Sequence, residues 1–168
     1  MKKTFTVAHK RKRQGKTNYK YRLRLLQSRK PRLIIRKSLA HMSLQIATYQ
    51  EKGDKIEITV HSKELQKRGW KSSTGNLPAA YLSGLLLGKK AIATGIKDAI
   101  LDIGMQKAAK GGRIFAAVKG CKDAGLTIPA QSDVFPSEER ISGKHIPSIN
   151  DASAMVEETK KTILSEQQ

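Results

Sequence analysis

The sequence predicts an α/β fold, in which a mixed β-sheet carries helices packed on one face and is preceded by a basic N-terminal arm and helix. Short stretches between residues 32 and 61 alternate apolar with polar residues, which is the pattern of strands with one buried face. A long apolar segment with a helix-starting proline follows, and after it come a short apolar stretch and a second amphipathic segment. The order strand, strand, strand, helix, strand, helix is typical of an α/β sandwich.

The chain divides into three parts on the same evidence. Its 168 residues are typical of one domain with tails. We assign residues 1–30 to a basic arm and helix, 31–130 to an α/β globular domain, and 131–168 to a loop-rich C-terminal extension with a terminal helix.

The N-terminal part begins without apolar periodicity, so residues 1–16 are predicted to form an unstructured arm. Thr17 is then a candidate cap for a helix over about residues 18–28. Pro31 ends this helix because proline cannot continue helical hydrogen bonding. The predicted apolar face of the helix consists of Tyr19, Leu23 and Leu26.

Three strands are predicted after this helix. The first covers residues 32–38, and a turn at residues 51–54 joins the other two into a hairpin. Their alternation indicates an antiparallel arrangement with one face of the sheet buried and the other available for contacts. The buried side chains of the second and third strands are predicted to be Met42, Leu44, Ile46, Ile56, Ile58 and Val60.

A short helical turn at residues 62–68 and a polar loop at residues 69–77 precede the long helix. Pro78 suits the first helical position, where its missing N–H does no harm, and either Leu77 or Asn76 is the candidate cap.

The long helix is predicted to run to about Thr94 and to stop at Gly95. It contains Gly84 and Gly88, which lie one turn apart. We interpret this pair as allowing the helix to lie close to the sheet, because glycine presents no side chain at the contact.

The second half of the domain is predicted to contain a buried strand at residues 99–103, a basic loop at 106–112 and a helix at 113–124. A segment rich in loops and prolines follows at residues 127–150, and a last helix covers about 152–164. The inward side chains of the middle helix are predicted to be Ile114, Ala117, Val118 and Cys121.

The distribution of charge is the strongest indication of function. The chain holds 33 Lys and Arg against 14 Asp and Glu, a net charge of +19. Residues 1–50 contain 15 of these cations and no acid, so the remaining residues carry a balance of only +4. Such a segment repels itself unless a polyanion neutralises it. Nucleic acid is the predicted polyanion. A membrane-spanning segment is not predicted, because no apolar run reaches the roughly 18 residues of a membrane span.

Catalytic and metal-binding patterns are missing from the sequence. Gly15-Lys16-Thr17 has neither the earlier glycine nor the preceding strand of a phosphate-binding loop. The four histidines and Cys121 lack metal-ligand spacing, and a single cysteine fits a reducing cytosol. We therefore predict no enzyme and no cofactor.

Two alternatives remain open at this point. Asp98 and Asp102 bracket one predicted strand and would suit an RNA-processing nuclease with metal ions, although Asp102 more simply bonds loop backbone. The basic segment would also suit an adaptor for an acidic protein.

The basic segment combines phosphate-neutralising and base-stacking side chains. Residues 10–13 form the run Lys-Arg-Lys-Arg, and Tyr19 and Tyr21 interleave with Lys20 and Arg22. Aromatic rings of this kind stack on exposed bases. We expect the arm to be disordered alone and to fold on RNA, which offsets its self-repulsion.

Four stretches carry a family resemblance: TNYKYRLRLLQSRKPRLIIRKS, GWKSSTGNLPAAYLSGLLLGKKA, AILDIGMQ and FAAVKGCKDAGLTIP. They closely resemble the archaeal form of universal large-subunit ribosomal protein eighteen, a family that binds 5S ribosomal RNA. The resemblance covers about residues 5–150 in continuous order, and its most specific block is Thr74-Gly75-Asn76-Leu77-Pro78.

The resemblance implies a structural, non-enzymatic constituent of the large ribosomal subunit in the cytoplasm. Its expected place is the central protuberance, where it would contact 5S ribosomal RNA, large-subunit ribosomal RNA and neighbouring ribosomal proteins. The loop at residues 72–76 is expected to touch the RNA backbone through hydroxyl and amide groups. The predicted RNA-facing residues are Lys10, Arg11, Lys12, Arg13, Lys16, Tyr19, Lys20, Arg22, Arg24, Arg29, Arg32, Arg36, Lys37, His41, Ser72, Ser73, Thr74 and Asn76.

Overall fold

A computed structural model of the chain describes residues 6–146 and 152–166. Residues 1–5 of the predicted arm and residues 147–150 of the predicted loop-rich segment, including Pro147, lie outside the described residues. The helices are α1 (Lys10–Arg13), α2 (Tyr19–Gln27), α3 (Leu77–Ala93), α4 (Arg113–Asp123), α5 (Glu138–Ile141) and α6 (Ala152–Ser165). The strands are β1 (Arg32–Lys37), β2 (Met42–Thr48), β3 (Lys55–His61) and β4 (Ile100–Asp102), and 3₁₀ helices cover Ser62–Arg68 and Ser132–Val134.

The four strands form one mixed sheet in the order β3-β2-β1-β4. The β1–β2 and β2–β3 pairs are antiparallel, whereas β4 runs parallel to β1 and places Asp102 beside Ile34. α3 packs on β2 and β3, and α4 packs on α3 and β1. The predicted α/β class, with a mixed sheet and helices on one face, is confirmed.

The prediction that Ile56 is buried is wrong. The ladder pairs Ile46 with Ile58 but Ala47 with Ile56, so the register shifts by one residue between them. Such a β-bulge moves the next side chain to the other face of the sheet. Ile56 is therefore 52% exposed, whereas Ile58 and Val60 lie in the core.

The glycines of α3 contact α4 rather than the sheet, so the predicted partner was wrong. A Cβ on Gly84 would collide with the carbonyl oxygen of Ala117, and one on Gly88 would come within 2.6 Å of the Ala124 Cβ. The approach is reciprocal, because a Cβ on Gly120 of α4 would collide with the carbonyl oxygen of Tyr81. The two helices pack backbone against backbone at this crossing.

α3 and α2 each begin at an asparagine cap. The Asn76 side chain accepts a hydrogen bond of 2.9 Å from the Ala79 N–H, which decides between the two candidate caps of α3. Asn18 accepts a hydrogen bond of 3.1 Å from the Tyr21 N–H and caps α2. The prediction of Thr17 as that cap is wrong by one residue.

The predicted apolar face of α2 is also wrong. Leu23 is 61% exposed and Tyr19 is 37% exposed, whereas Leu25 is buried. The reason is that polar side chains hold this helix to the rest of the protein. Tyr21 contacts β4 and Arg22 contacts the turn between β2 and β3. These two contacts turn Leu25 toward the interior.

The arm is not wholly unstructured, because residues 10–13 form the single helical turn α1. The Arg11 Nε donates a hydrogen bond of 2.9 Å to the Thr17 hydroxyl, which folds the turn back toward α2. The His9 and Tyr19 rings lie 5.3 Å apart between centroids. All four side chains of α1 remain exposed.

The predicted terminal helix is confirmed as α6, which packs on α3 and on the 3₁₀ helix at Ser62–Arg68. The Lys89 ammonium group caps its last turn with hydrogen bonds to the carbonyl oxygens of Ile163, Leu164 and Glu166 at 2.8, 2.7 and 2.5 Å. In the described part of the chain, no helix combines the length and apolarity that a membrane crossing requires.

Candidate nucleic-acid interface

The face of the sheet that α3 and α4 leave uncovered carries the basic end of the chain. In β1, Leu33 and Ile35 point into the core, and Arg32, Ile34 and Arg36 alternate with them toward this open face. Side chains of the arm and α2 lie over the same face. The strand alternation thus sets the predicted cations beside the cations of the arm.

An arginine–aspartate cluster lies at the centre of this face and consists of Arg22, Arg32, Arg36, Asp54 and Asp102. Asp54 accepts hydrogen bonds of 2.8 and 2.9 Å from the Arg22 Nη2. Asp102 accepts from the Arg32 Nη1 at 2.8 Å and from the Arg36 Nη2 at 3.2 Å. The cluster joins α2, β1, the β2–β3 turn and β4, which are far apart in sequence.

Arg32 is the buried member of the cluster, with 1% of its side chain exposed. Its Nη2 lies 2.5 Å from the Asp54 Oδ2, but the two atoms are not aligned for a hydrogen bond, so we treat the contact as an ion pair. Within the described residues, the Arg32 Nε and Nη2 have no hydrogen-bond acceptor. Arg32 was predicted to face RNA, but its burial leaves no surface for that contact in this structure.

Asp102 bonds to loop backbone, as predicted, and also pairs with two arginines. Its Oδ1 accepts a hydrogen bond of 2.9 Å from the Gly104 N–H, which fixes the loop after β4. Its other contacts hold Arg32 and Arg36, as above. Asp98 instead pairs with Lys30 at 2.8 Å. In residues 6–146 and 152–166, no group of three or more His, Cys, Asp and Glu side chains is arranged to hold a metal ion.

The acidity of Asp54 reflects the cluster around it. Burial alone would raise the pKa of this carboxyl group, but the close contacts and charges of Arg32 and Arg22 outweigh burial and leave the pKa below its usual value of 3.8. A carboxyl group with a depressed pKa stabilises the folded state above its unfolded pKa, and this contribution is lost as pH falls through the folded value.

Asp54→Asn should therefore flatten the loss of stability below about pH 4, close to the ordinary aspartate pKa of 3.8. The wild-type protein is expected to lose stability more steeply than the variant between pH 6 and pH 3, as measured by urea unfolding at each pH. Glu64, whose pKa is also lowered despite the opposing effect of burial, titrates in both proteins and cancels in the comparison. Parallel stability curves would contradict the role given to Asp54.

Tyr21 anchors α2 to the edge of the sheet. Its hydroxyl donates a hydrogen bond of 3.3 Å to the carbonyl oxygen of Leu101. Burial, followed by the nearby Asp102 carboxylate, raises the pKa of this hydroxyl. Tyr19, by contrast, is 37% exposed, and the His9 ring lies 5.3 Å from it between centroids.

The end of β1 is fastened to the loop that follows β4. The Gln106 side chain accepts from the Lys37 N–H at 2.9 Å and donates to the Lys37 carbonyl oxygen at 2.7 Å. The Lys37 ammonium group donates to the Lys107 carbonyl oxygen at 3.1 Å. Lys37 is therefore only half-exposed and is partly used within the protein.

The loop at residues 72–76 and the β1–β2 turn form one unit. Thr74 is buried, donates to the Ala40 carbonyl oxygen at 3.0 Å and contacts the His41 Nδ1 at 2.7 Å. Arg113 donates to the carbonyl oxygens of Gly75 at 2.7 Å and of Ser38 at 3.2 Å. The Thr74 hydroxyl is thus committed to the protein rather than offered to RNA.

Other polar groups of the same loop also have partners within the chain. The Ser72 hydroxyl accepts from the Asn76 side chain at 3.2 Å, and the Ser73 hydroxyl accepts from the Gly75 N–H at 3.3 Å. Of these side chains, Ser73 is exposed and the other two are half-buried. Ser73 is therefore the most exposed of these three side chains.

The remaining predicted residues lie at the surface. The side chain of Tyr19 is 37% exposed. Four others are half-exposed, namely Arg22, Arg36, Lys37 and His41. The fully exposed cations are Lys10, Arg11, Lys12, Arg13, Lys16, Lys20, Arg24 and Arg29.

Sequence reasoning missed the partners that organise the interface, namely Asp54, Gln106 and Arg113. The sequence gives a weak indication for Asp54 as a partner of the cations. It follows the turn residue Gly53 and is among the first acids after the acid-free residues 1–50. For Gln106 and Arg113 the sequence gives no local signal, because their hydrogen-bond partners Lys37 and Gly75 lie 69 and 38 residues away.

Comparisons with known proteins identify a family that this chain resembles in sequence. The family model described as "Ribosomal large subunit proteins 60S L5, and 50S L18" matches residues 3–98 and 93–131. The Large ribosomal subunit protein uL18 of Methanococcus maripaludis is 51% identical over 142 residues, which cover 84% of this chain and 74% of that protein.

Proposed function

The chain belongs to the family of ribosomal large subunit proteins 60S L5 and 50S L18, and on that premise we propose that it is a structural constituent of the large ribosomal subunit that binds 5S ribosomal RNA. It helps to attach this RNA to the large-subunit RNA in the central protuberance, beside neighbouring ribosomal proteins. It is not an enzyme, and its place is the ribosome of the cytoplasm.

The observation that carries the proposal is the exposed, acid-free cationic surface of the arm and α2. The side chains of residues 10–13 are all exposed, and Lys16, Lys20 and Arg24 continue the surface along α2. Contacts of such cations with phosphates supply affinity, while folded RNA supplies the shape that is recognised. Arg32 and Thr74 act from inside, by holding β1 and the two neighbouring loops in place.

The two alternative functions find less support. Asp98 and Asp102 are each paired with cations, which compete with the metal ions that a nuclease would need. Magnesium-dependent cleavage of RNA by the pure protein, abolished by Asp102→Asn, would favour the nuclease. A partner protein that stays bound after ribonuclease treatment would favour the adaptor.

Replacing Arg11, Lys12 and Arg13 together by alanine should weaken binding to 5S ribosomal RNA. Each lost phosphate contact lowers the slope of log K against log salt by about 0.7–0.9, so the slope should fall by about 2 to 3. The thermal midpoint should change little, because these side chains are exposed. Fluorescence anisotropy between 50 and 200 mM salt measures the slope, and calorimetry measures the midpoint.

The matched control replaces Lys63, Lys67 and Lys161 by alanine, which removes the same charge from exposed positions near the helical side of the sheet. It should leave the salt slope near the wild-type value. Equal losses in the two triple variants would mean that net charge alone drives binding. Unfolding of the arm variant would instead show that the arm is part of the core.

A further inference from the structure

A cavity of about 160 Å³ opens on the arginine–aspartate cluster, between the arm, the start of α2 and the open face of the sheet. This volume is well above the roughly 10–15 Å³ that one water molecule requires. Arg11 and Lys16 line the cavity together with the whole cluster, so five cations face two carboxylates. The net charge of its lining side chains is therefore +3.

The two carboxylates do not cancel the attraction of the cavity for an anion. Both Asp54 oxygens accept from Arg22, and one also contacts Arg32. The Asp102 oxygens are occupied by Arg32, Arg36 and the Gly104 N–H. All four carboxylate oxygens are thus turned toward donors of the protein, and the excess charge of the guanidinium groups is left for a ligand.

The guanidinium groups retain unused donors. Each has five N–H bonds, yet the described residues accept two hydrogen bonds from Arg22, one from Arg32 and three from Arg36. Arg32 lies in the wall of the cavity, but its Nε and Nη2 are buried and its Nη2 is already paired with Asp54. Arg22 and Arg36, which are partly exposed, therefore supply the donors that a ligand can reach.

The start of α2 adds to the positive electrostatic field of the cavity. Thr17 and Asn18, which precede and cap the helix, line the cavity, and its first turn contains no acid. The positive end of the helix dipole therefore points toward the space that the guanidinium groups enclose.

We propose that this cavity is a phosphate cradle, which takes one phosphodiester group of the bound RNA between Arg22 and Arg36, while the buried Arg32 contributes its charge without a direct contact. The proposal rests on the proposed function, because only an RNA ligand brings a phosphodiester to this face. It assigns Arg22 and Arg36 to a single phosphate, whereas Lys10, Lys12 and Arg13 of α1, which do not line this cavity, neutralise phosphates elsewhere.

The test compares Arg36→Gln with the matched variant Lys161→Gln, which removes one exposed charge from α6. With in vitro transcribed 5S ribosomal RNA, Arg36→Gln should lower the salt slope by about 1, and Lys161→Gln should leave it unchanged. Arg36→Lys, which keeps the charge, should restore most of the slope. Thermal midpoints confirm that each variant is folded.

A double variant, Arg22→Gln with Arg36→Gln, tests whether the two arginines share one phosphate. Its slope should fall by about 1, not 2, because only one phosphate is released. Titration of the RNA-free protein with inorganic phosphate, followed by NMR of the arginine Nε–H groups, should give saturable shifts in the wild type and at least about tenfold weaker binding in Arg36→Gln, the loss that about 1.4 kcal/mol produces.

The outcomes separate the two proposals. Failure of the wild-type protein to bind the RNA would overturn the proposed function. Normal RNA binding with equal slopes for Arg36→Gln and Lys161→Gln would overturn the cradle alone. Saturable phosphate binding without any change of slope would identify a site for free phosphate and reject the phosphodiester.

Discussion

Asp102→Ala is expected to destabilise the protein by about 3 kcal/mol, because it removes a partner from a buried charge. Arg32 has 1% of its side chain exposed, and Asp102 contributes the one hydrogen bond that Arg32 donates to the described residues. The substitution also releases Arg36 and the Gly104 N–H. Urea unfolding measures the loss through the shift of the transition midpoint.

The control for this experiment is Asp133→Ala. Asp133 also pairs with a cation, Lys110, at 2.7 Å, but both side chains are more than half exposed. Exposed ion pairs contribute about 0–1 kcal/mol, so this variant should remain close to the wild type. If the two variants lost the same stability, the cluster would be a surface feature and not a buried support of the interface.

Gly84→Ala and Gly120→Ala are each expected to cost about 3 kcal/mol, at the upper end for an overpacked contact. Helix propensity predicts the opposite sign, since alanine is favoured over glycine inside a helix by about 1 kcal/mol. Packing prevails because the added methyl groups would collide with the carbonyl oxygens of Ala117 and Tyr81, and backbone cannot rotate away as a side chain can.

Two further substitutions grade the effect. Gly88→Ala should cost less, because its nearest obstacles, the Ala124 Cβ at 2.6 Å and the Cys121 carbonyl oxygen at 2.9 Å, lie farther away than the 2.0 and 2.1 Å contacts at Gly84 and Gly120. Ala93→Leu, at an exposed position of the same helix, should change the stability by no more than about 0.5 kcal/mol. Thermal unfolding ranks the four variants. A gain of stability in Gly84→Ala would mean that α3 and α4 are separated in solution.

Local patterns in the sequence predicted the elements well and their neighbours poorly. Alternation of apolar residues placed the first three strands, and the Pro78 signal placed α3, since both depend on nearby residues. The exposed Ile56 escaped prediction because a β-bulge interrupts an otherwise regular alternation. The buried Leu25 escaped because polar contacts decide which side of α2 faces the sheet.

The candidate interface was predictable as a charged segment but not as a geometry. The acid-free stretch indicated which part of the chain would contact a polyanion. It could not show that Arg32 is buried, because that follows from the parallel pairing of β1 with β4 across 70 residues. The same pairing explains why Asp102 was not recognised as a partner of the basic part, whereas Asp54 reaches the cluster through the turn between β2 and β3.

The parallel pairing of β1 and β4 has a consequence for the order of events during translation. The guanidinium group of Arg32 emerges early, whereas its Asp102 partner is synthesised 70 residues later. A nascent chain that ends before Asp102 cannot complete the cluster, because Asp54 is then the one acidic partner of the Arg32 guanidinium group in the described part of that chain. Folding of the N-terminal part therefore has to wait for synthesis of the second part or take place on a polyanion that is already present.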